Sequence, residues 1–244
     1  SNFVGIGYLD GALAQVRVAS SPLQVGGFVG RRAELDNLDL DVPGLKYGGF
    51  LRLAPAGRYS RQNYEAVVAV VRENAEEDVS REYVSLETLF GSGRRFSFVQ
   101  YGELDFNRGW RREVAGTAYQ VSNLSLAATL RSAKGSSFVL SYDGRKNYRY
   151  YLNRGVPEEA FHDLLHQGLR ASVYTSQRQG WTFGAGGGVR FKNDREPVNA
   201  YSANLNLRQQ SVFGSQVSLG ADGVGFQNAY TEGLLVTAQA GRTF

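Results

Sequence analysis

The chain has 244 residues but no cysteine, no methionine and only 5 prolines. Without cysteine, neither a disulfide framework nor a thiolate metal site can form. Without an initiator methionine, the sequence is expected to be a mature form or a fragment of a longer protein. The charged and apolar regions of a signal peptide are not recognisable at its start, which leaves open whether a leader has been removed.

Long apolar runs and clusters of like charge are also missing. The longest apolar run is AVVAVV, residues 66–71, whereas a membrane-spanning helix needs about 18 such residues. The net charge is +4, and the 23 arginines and 4 lysines are dispersed along the chain, which argues against a nucleic-acid partner. Neither absence excludes a β-barrel, because the strands of a barrel are apolar only at alternate positions.

Period-two alternation runs through almost the whole sequence. In WTFGAGGGVRF, residues 181–191, the apolar Trp181, Phe183 and Phe191 alternate with residues such as Gly184 and Arg190. Such alternation predicts strands with one apolar and one polar face. We predict about fourteen strands, with twelve as the alternative count, at residues 2–8, 12–19, 24–31, 46–54, 64–72, 81–90, 95–106, 117–131, 136–146, 168–176, 181–191, 199–209, 215–225 and 233–244.

The connectors differ in length at the two ends of these strands. Every second connector is mostly a short turn, such as FGSGR or SAKGS, and the others are mostly longer and more polar, such as KNDREPVN. This asymmetry predicts an up-and-down antiparallel meander that forms one domain over residues 1–244. One long connector contains VPEEAFHDLLHQG, residues 156–168, which predicts a short helix because Pro157 suits its first turn and Gly168 its end.

Three features favour a transmembrane barrel over a soluble β-sandwich, which is the alternative for this pattern. The strands are about ten residues long, enough to cross a bilayer when tilted. Their polar face is rich in Gly, Ser, Thr and Asn, as suits a hydrated lumen. The aromatic residues of the apolar face form two rings at the strand ends, as at the two membrane interfaces. These rings are Tyr64, Phe90, Phe96, Phe138, Trp181 and Phe244 on the short-turn side, and Tyr8, Tyr47, Phe106, Phe191 and Tyr201 on the long-loop side.

The C-terminal segment EGLLVTAQAGRTF, residues 232–244, alternates through Val236, Ala238 and Ala240 and ends on Phe244. With this ending, the whole chain resembles a Gram-negative outer-membrane β-barrel protein. The resemblance implies an all-β, up-and-down transmembrane barrel in the outer membrane, with both termini periplasmic. It also implies that Phe244 is the signal read by the barrel-assembly machinery, and that the bilayer and lipopolysaccharide are partners. Arg242 departs from the pattern, where an apolar or aromatic residue is usual.

Residues that carry catalysis are sparse. The two histidines, His162 and His166, are spaced i,i+4 in AFHDLLHQ. A zinc site would need a third ligand, and a hydrolase would need a serine beside one of these histidines, and the sequence marks neither. We therefore expect no metal, no cofactor and no enzymatic activity. An outer-membrane hydrolase is the most distant alternative.

The polar face carries charges of both signs. The predicted lumen-lining residues are Arg52, Glu65, Glu87, Glu103, Asp105, Arg131, Asp143, Arg145, Arg170, Arg190, Arg208 and Asp222. Arg170, Arg190 and Arg208 come from three successive strands, which predicts an arginine ladder facing an acidic set. Ladders of opposite sign would set up a transverse field across a pore.

Two functions fit this lumen. The first is an outer-membrane channel or exporter, of the porin type, that passes polar solutes or a polymer. The alternative is a non-conducting structural or anchoring barrel, with salt bridges filling its lumen, that forms the membrane domain of a larger envelope complex with a periplasmic protein partner. The long loop at 147–167 is the expected gate or ligand contact, through Tyr148, Tyr150, Tyr151, Phe161, His162 and His166.

Overall fold

The computed structural model describes residues 9–32, 44–55, 62–75, 78–146, 155, 165–176, 180–192, 200–209, 212, 217–228 and 230–242. These residues form an all-β structure in which 13 antiparallel strands follow one another in chain order in a single up-and-down sheet. The strands are β1 (Leu9–Arg17), β2 (Leu23–Arg32), β3 (Gly44–Leu53), β4 (Gln62–Ala75), β5 (Asp78–Ser92), β6 (Phe96–Phe106), β7 (Tyr119–Arg131), β8 (Ser137–Arg145), β9 (His166–Ser176), β10 (Trp181–Lys192), β11 (Ala200–Gln209), β12 (Val217–Gln227) and β13 (Glu232–Arg242).

The predicted all-β meander is confirmed strand by strand wherever the chain is described. Each of the strands predicted from 12–19 onward overlaps one of β1 to β13, and the predicted strand 2–8 lies outside the described residues. The largest difference is at 73–80, which we expected to be a loop. There β4 continues to Ala75 and β5 begins at Asp78, so this connector is mostly strand.

The helix prediction was wrong in the part that can be compared. Residues 166–168 belong to β9, so Gly168 does not end a helix, and residues 156–164 lie outside the described residues. The described residues contain one helix, α1 (Trp110–Ala115), between β6 and β7. It ends at Gly116, whose left-handed φ of 68° lets its N–H donate to the carbonyl of Arg112. Within the described ranges, no helix is long and apolar enough to span a membrane.

The described residues fall into two compact units. The first unit comprises Ser1–Gly91, Val99–Ser125 and Arg145–Asp163, and the second comprises Ser92–Phe98, Leu126–Gly144 and Leu164–Phe244, as far as each is described.

The first unit contains an apolar cluster on one side of its strands. Its members are Phe28, Phe50, Val67, Ala69, Val71 and Tyr83. Phe28 of β2 lies directly opposite Gly48 of β3, and Phe50 of β3 lies directly opposite Gly26 of β2. A Cβ on Gly26 would lie 2.2 Å from the Phe50 ring, and one on Gly48 would lie 2.8 Å from the Phe28 ring. Each ring therefore covers the backbone of a glycine on the neighbouring strand.

The first unit carries large apolar side chains on both faces and buried charged side chains on one of them. In β4, Val67, Ala69 and Val71 are buried while the alternate Val68 and Val70 are exposed, Val70 by 60%. The exposed face of β3 is apolar too, with Leu45, Leu51 and Leu53. The charged side chains Lys46, Glu73, Arg81, Glu103, Asp105 and Arg111 are all buried. Charged residues are almost never buried in proteins unless they are paired.

The second unit has one apolar and one polar face along β9 to β11. The register aligns Ser172, Gly186 and Asn204 across β9, β10 and β11 on the polar face. On the other face, Ala185 of β10 lies opposite Leu205 of β11, and the Leu205 side chain is 58% exposed. The alternation predicted for these three strands is present in the register.

The two end strands each have one partner. β1 pairs with β2 and β13 pairs with β12, and within the part of the chain that the structure describes no pairing joins β1 to β13. The sheet is therefore open in these residues.

Candidate functional site

The buried face of the first unit is organised around Arg81 of β5. The Arg81 Nε donates to Asp105 Oδ1 at 2.6 Å, and its Nη2 donates to Glu103 Oε2 at 2.7 Å. A further bond of 3.2 Å joins Nη2 to Asp105 Oδ2. One planar guanidinium thus holds two carboxylates that project from the same face of β6. We call Arg81, Glu103, Asp105, Arg111 and Ser122 the Arg81 cluster.

The remaining polar atoms of the Arg81 cluster are also bonded. Ser122 of β7 accepts from Arg81 Nη2 at 3.2 Å, and the Tyr101 hydroxyl donates to Glu103 Oε1. Arg111 Nη2 lies 3.6 Å from Asp105 Oδ1. All four carboxylate oxygens therefore have partners, and two positive charges balance two negative ones. Pairing of this completeness is what makes burial of charge tolerable.

Helix α1 places Arg111 in this cluster. The Trp110 indole Nε1 donates to the Val79 carbonyl at 2.9 Å, and Arg111 Nη1 donates to the Ser80 carbonyl at 3.1 Å. Arg111 Nε also donates to Asn107 Oδ1 at 3.3 Å, while the Asn107 N–H donates to Ala118 at 2.8 Å. The first residues of β5 thus form the surface on which α1 packs.

A second buried ion pair lies on β3 and β4. Lys46 and Glu73 are direct partners in the strand register, and Lys46 Nζ lies 3.0 Å from Glu73 Oε1. The Tyr83 ring is shared by the two groups of charges, since Lys46 Nζ lies 5.7 Å and the Arg81 guanidinium 4.0 Å from its centroid. Cation–π contacts of this kind are strongest where water is excluded.

Several predicted lumen residues belong to these pairs. Arg52 Nε donates to Glu65 Oε1 at 2.7 Å, so two predicted residues contact each other on β3 and β4. Glu103 and Asp105 form the acidic half of the Arg81 cluster. Glu87 is half-buried in β5. In the first unit the predicted charges are therefore largely paired.

The predicted arginine ladder was wrong. Arg190 of β10 lies opposite Gly168 of β9, two residues from Arg170, so Arg170 and Arg190 are diagonal neighbours. Arg208 of β11 lies opposite Thr182, at the other end of β10. Eight residues separate Thr182 from Arg190, a distance of about 26 Å along a strand. Arg170 and Arg190 therefore form a pair, and Arg208 lies at the opposite end of the strands.

These three arginines are exposed, and they form no ion pair within the described residues. The other predicted charges of the second unit are spread out. A Cβ on Gly168 would lie 2.8 Å from Asp143 Oδ1, so the Asp143 carboxylate lies over Gly168. Asp222 accepts from the Asn206 side-chain amide. Arg131, at the end of β7, is exposed, as is Arg145 of the first unit.

The predicted loop contacts lie mostly outside the described residues. Tyr148, Tyr150, Tyr151, Phe161, His162 and the terminal Phe244 all fall there. His166 is described and is the first residue of β9, so it does not lie on a helix with His162 as predicted. Among the described residues, no group of three or more His, Asp or Glu side chains is placed to hold a metal ion.

Sequence reasoning missed the centre of the site. Arg81, Lys46, Glu73 and Arg111 were not among the predicted residues. A signal existed for two of them, since Lys46 alternates in phase with Arg52 on β3, and Arg81 with Glu87 on β5. Arg111 belongs to a helix that carries no apolar stripe.

Comparison of the chain with protein-family models, with curated proteins and with solved structures gave no match.

Proposed function

We propose that the chain is an outer-membrane β-barrel whose apolar exposed face contacts lipid and whose polar face lines a passage for polar, mainly anionic, solutes. The exposure of large apolar side chains opposite buried charges carries this proposal. Large apolar side chains such as Val70 and Leu205 are exposed, whereas Arg81 and Asp105 on the opposite face are buried. In water, an apolar face of this breadth would drive association, and in a bilayer it is the face that lipid requires.

Strand length and backbone pairing agree with a bilayer. The strands have between 9 and 15 residues, and a tilted strand crosses a membrane with about 9–11. Each strand from β2 to β12 is paired on both sides, which satisfies its backbone groups without water. Closure of the sheet into a barrel belongs to the proposal, because only closure pairs the outer edges of β1 and β13.

The polar face of β9 to β11 supports a passage. Gly184, Gly186 and Gly188 lie on this face, and the side chains of Tyr174, Asn204 and Arg170 lie over them. Arg170 and Arg190 on the same face are exposed. The exposed guanidinium groups remain available to water and to anions. A pore lined by such cations raises the local concentration of anions and favours their passage.

A second candidate function is an anchoring barrel that conducts nothing. The observation that favours it is the Arg81 cluster, which is charge-balanced and buried together with the apolar cluster of the first unit. Side chains packed in this way fill space instead of lining a water path. The two candidates differ in whether the polar face of the second unit is open to solutes.

The first experiment tests the membrane face. Because the chain has no cysteine, single cysteines can be introduced without background. In lipid vesicles, a membrane-impermeant maleimide should modify Asn204→Cys on the polar face, and should leave Leu205→Cys unmodified until the protein is unfolded in denaturant. Equal modification of both variants in intact vesicles would refute placement of the apolar face in lipid.

The second experiment tests the passage. The refolded barrel in a planar bilayer should show steady conductance with a preference for anions. Arg190→Ala should lower the anion-over-cation permeability ratio, most clearly at low salt where screening is weak. Arg94→Ala, in the turn between β5 and β6, is the control and should leave this ratio unchanged. Insertion without conductance would favour the anchoring function instead.

A further inference from the structure

A groove of about 360 Å³ lies on the exposed face of β3 to β6. We call it the outer groove. Its apolar part is formed by Tyr47, Gly49, Val70 and Phe106, and its charged rim by Arg72, Glu82 and Arg108. The Arg81 cluster and the predicted lumen residues lie on the opposite face of the strands. Gly48, Val71 and Tyr83 also line the groove, and Tyr83 contacts Arg81, but none of the charged rim residues belongs to the Arg81 cluster.

A missing side chain opens the outer groove. Gly49 lies between Gly27 of β2 and Val70 of β4 in the strand register, so two adjacent positions of this face are bare backbone. A Cβ on Gly49 would meet only the Gly26 carbonyl, at the ordinary contact distance of 3.5 Å. Space alone therefore does not require glycine at this position.

The rim carries a surplus of positive charge. Arg72 Nη1 lies 3.4 Å from Glu82 Oε1, and Arg108 Nε lies 3.6 Å from Glu82 Oε2. Both distances are longer than the 2.6 and 2.7 Å bonds of the Arg81 cluster. The two arginine side chains are 42% and 78% exposed. Arg72 Nε also donates to Asn74 Oδ1 at 3.2 Å. Two guanidinium groups thus share one carboxylate, and Glu82 is their only ion-pair partner among the described residues.

The outer groove lies at one end of the strands. Tyr47 and Glu82 are near the start of β3 and β5, and Arg72 and Phe106 are near the end of β4 and β6. In a membrane barrel, the strand ends lie at the level of the lipid headgroups, where aromatic rings and arginines are favoured. The apolar part of the groove then continues toward the hydrocarbon and the rim lies at the headgroups.

We infer that the outer groove binds a membrane lipid with an anionic, phosphate-bearing headgroup. One acyl chain lies over Gly49 and Val70, and the phosphate contacts Arg72 and Arg108. The guanidinium fork matches phosphate oxygens in pairs, which an ammonium group does not. This inference rests on the proposed membrane location of the chain.

Native mass spectrometry of the refolded full chain in non-ionic detergent tests the inference. The probes are phosphatidylglycerol, phosphatidylcholine and inorganic phosphate. We expect the wild type to retain phosphatidylglycerol more strongly than phosphatidylcholine, and inorganic phosphate at equal concentration to displace neither. Arg72→Gln combined with Arg108→Gln should weaken phosphatidylglycerol retention by roughly tenfold, which corresponds to about 1.4 kcal/mol.

A second variant fills the outer groove and keeps its charges. Gly49→Val places a side chain in the apolar part and should also lower phosphatidylglycerol retention. The controls are Gly223→Val, on the exposed apolar face of β12 where a Cβ meets nothing within 4 Å, and Arg94→Gln. Both controls should retain phosphatidylglycerol as the wild type does. If Gly49→Val fails to refold, the Arg72→Gln and Arg108→Gln double variant still tests the lipid site.

Flotation of the same proteins with vesicles separates the two proposals. If the chain inserts and the double variant retains phosphatidylglycerol as well as the wild type, the lipid site is wrong and the membrane proposal stands. Displacement of the lipid by inorganic phosphate would assign the rim to free anions and also overturn the lipid site. If the chain does not insert, both proposals are wrong.

Discussion

At the scale of single residues, the charges of the first unit show how burial changes the contribution of an ion pair to the stability of the fold. Arg81 and Asp105 are almost completely removed from solvent, whereas the side chains of Arg52 and Glu65 are 22% and 36% exposed. An exposed pair loses little when it is broken, because water replaces the partner. A buried carboxylate has no such replacement, so the folded state depends on Arg81 to balance the charges of Glu103 and Asp105.

Arg81→Ala should therefore lower the free energy of unfolding by about 3–5 kcal/mol, because Glu103 and Asp105 would remain buried without their cation. Arg52→Ala is the matched control and should cost about 1 kcal/mol or less. Urea unfolding of the refolded proteins in detergent measures both. Combining Arg81→Met with Glu103→Gln and Asp105→Asn should recover part of the loss, because no buried charge remains. Equal losses for Arg81→Ala and Arg52→Ala would contradict this explanation.

Residue identity predicted which charges lie on the polar face but not which of them are buried. Arg52 and Glu65 contact each other as alternation suggests, and Glu103 and Asp105 lie on the same side of β6. Arg81 was missed because the predicted strand began at that residue, where a charge looks like the end of a strand. In the structure β5 begins at Asp78, which places Arg81 inside the sheet.

At the scale of strands, the cross-strand contacts of β2 and β3 fix their register. Phe28 covers Gly48 and Phe50 covers Gly26. A shift of one residue would turn both rings toward the exposed face and expose the backbone that they cover. Aromatic rings over strand glycines are a known way to pin a register in curved sheets.

Gly26→Ala tests this contact, since the new methyl group would lie 2.2 Å from the Phe50 ring and 2.7 Å from the Ala14 carbonyl. We expect a loss of about 1–3 kcal/mol from overpacking, measured by urea unfolding. Phe50→Ala should lower the free energy of unfolding less in the Gly26→Ala variant than in the wild type, because there it also removes the clash. Gly223→Ala, in open space on β12, is the control and should change stability by well under 1 kcal/mol. If the two alanine variants unfold alike, the ring does not restrict position 26.

Helix α1 is held to β5 by a few bonds from Trp110 and Arg111. Arg111→Ala removes its bonds to the Ser80 carbonyl and to Asp105 together, so amides of residues 107–118 should exchange with deuterium faster than in the wild type. Hydrogen exchange read by mass spectrometry on peptides covering this segment measures the change. Arg112→Ala on the exposed side of α1 is the control. Unchanged exchange in Arg111→Ala would show that Trp110 alone holds the helix.

Sequence patterns predicted the strands and their alternation because alternation is a local property. The register between strands, and the position of a residue along its strand relative to its neighbours, depend on the whole sheet. Arg170, Arg190 and Arg208 were correctly placed on one face, yet Arg208 lies near the start of β10 and Arg190 near its end. Antiparallel order reverses position along each successive strand, so residues late in two neighbouring strands lie at opposite ends. Helix α1 was missed because six residues are too few for a helical apolar period.

At the scale of the whole molecule, the two kinds of charged surface have different consequences. Paired and buried charges, as in the Arg81 cluster, stabilise a fixed arrangement and offer nothing to a solute. Exposed arginines on the polar face that form no ion pair within the described residues, such as Arg170 and Arg190, would attract anions in the proposed passage. A chain with both is suited to a rigid wall that carries a passage, which is the arrangement proposed for this protein.

The membrane proposal requires the outer edges of the two end strands, β1 and β13, to be paired. In hydrocarbon, each unpaired backbone N–H or C=O costs several kcal/mol, so an open sheet edge is not tolerated. The outer edge of β13 must then pair either with β1 or with a strand formed by residues 2–8, which the alternation predicts. The membrane location and closure of the sheet are therefore correct or wrong together.

We expect the amides of residues 232–242 to exchange as slowly as those of the interior strand β7 when the protein is in lipid vesicles, because closure gives every second amide of β13 a new acceptor. Hydrogen exchange in vesicles measures this. The exposed turn at 132–135 provides the fast reference. Disulfide formation between Ala238→Cys and single cysteines placed successively along residues 2–17 would then locate the partner strand. If β13 exchanges as fast as the turn and no position crosslinks, the sheet stays open in the membrane, and neither a lipid-facing wall nor an enclosed passage can be maintained.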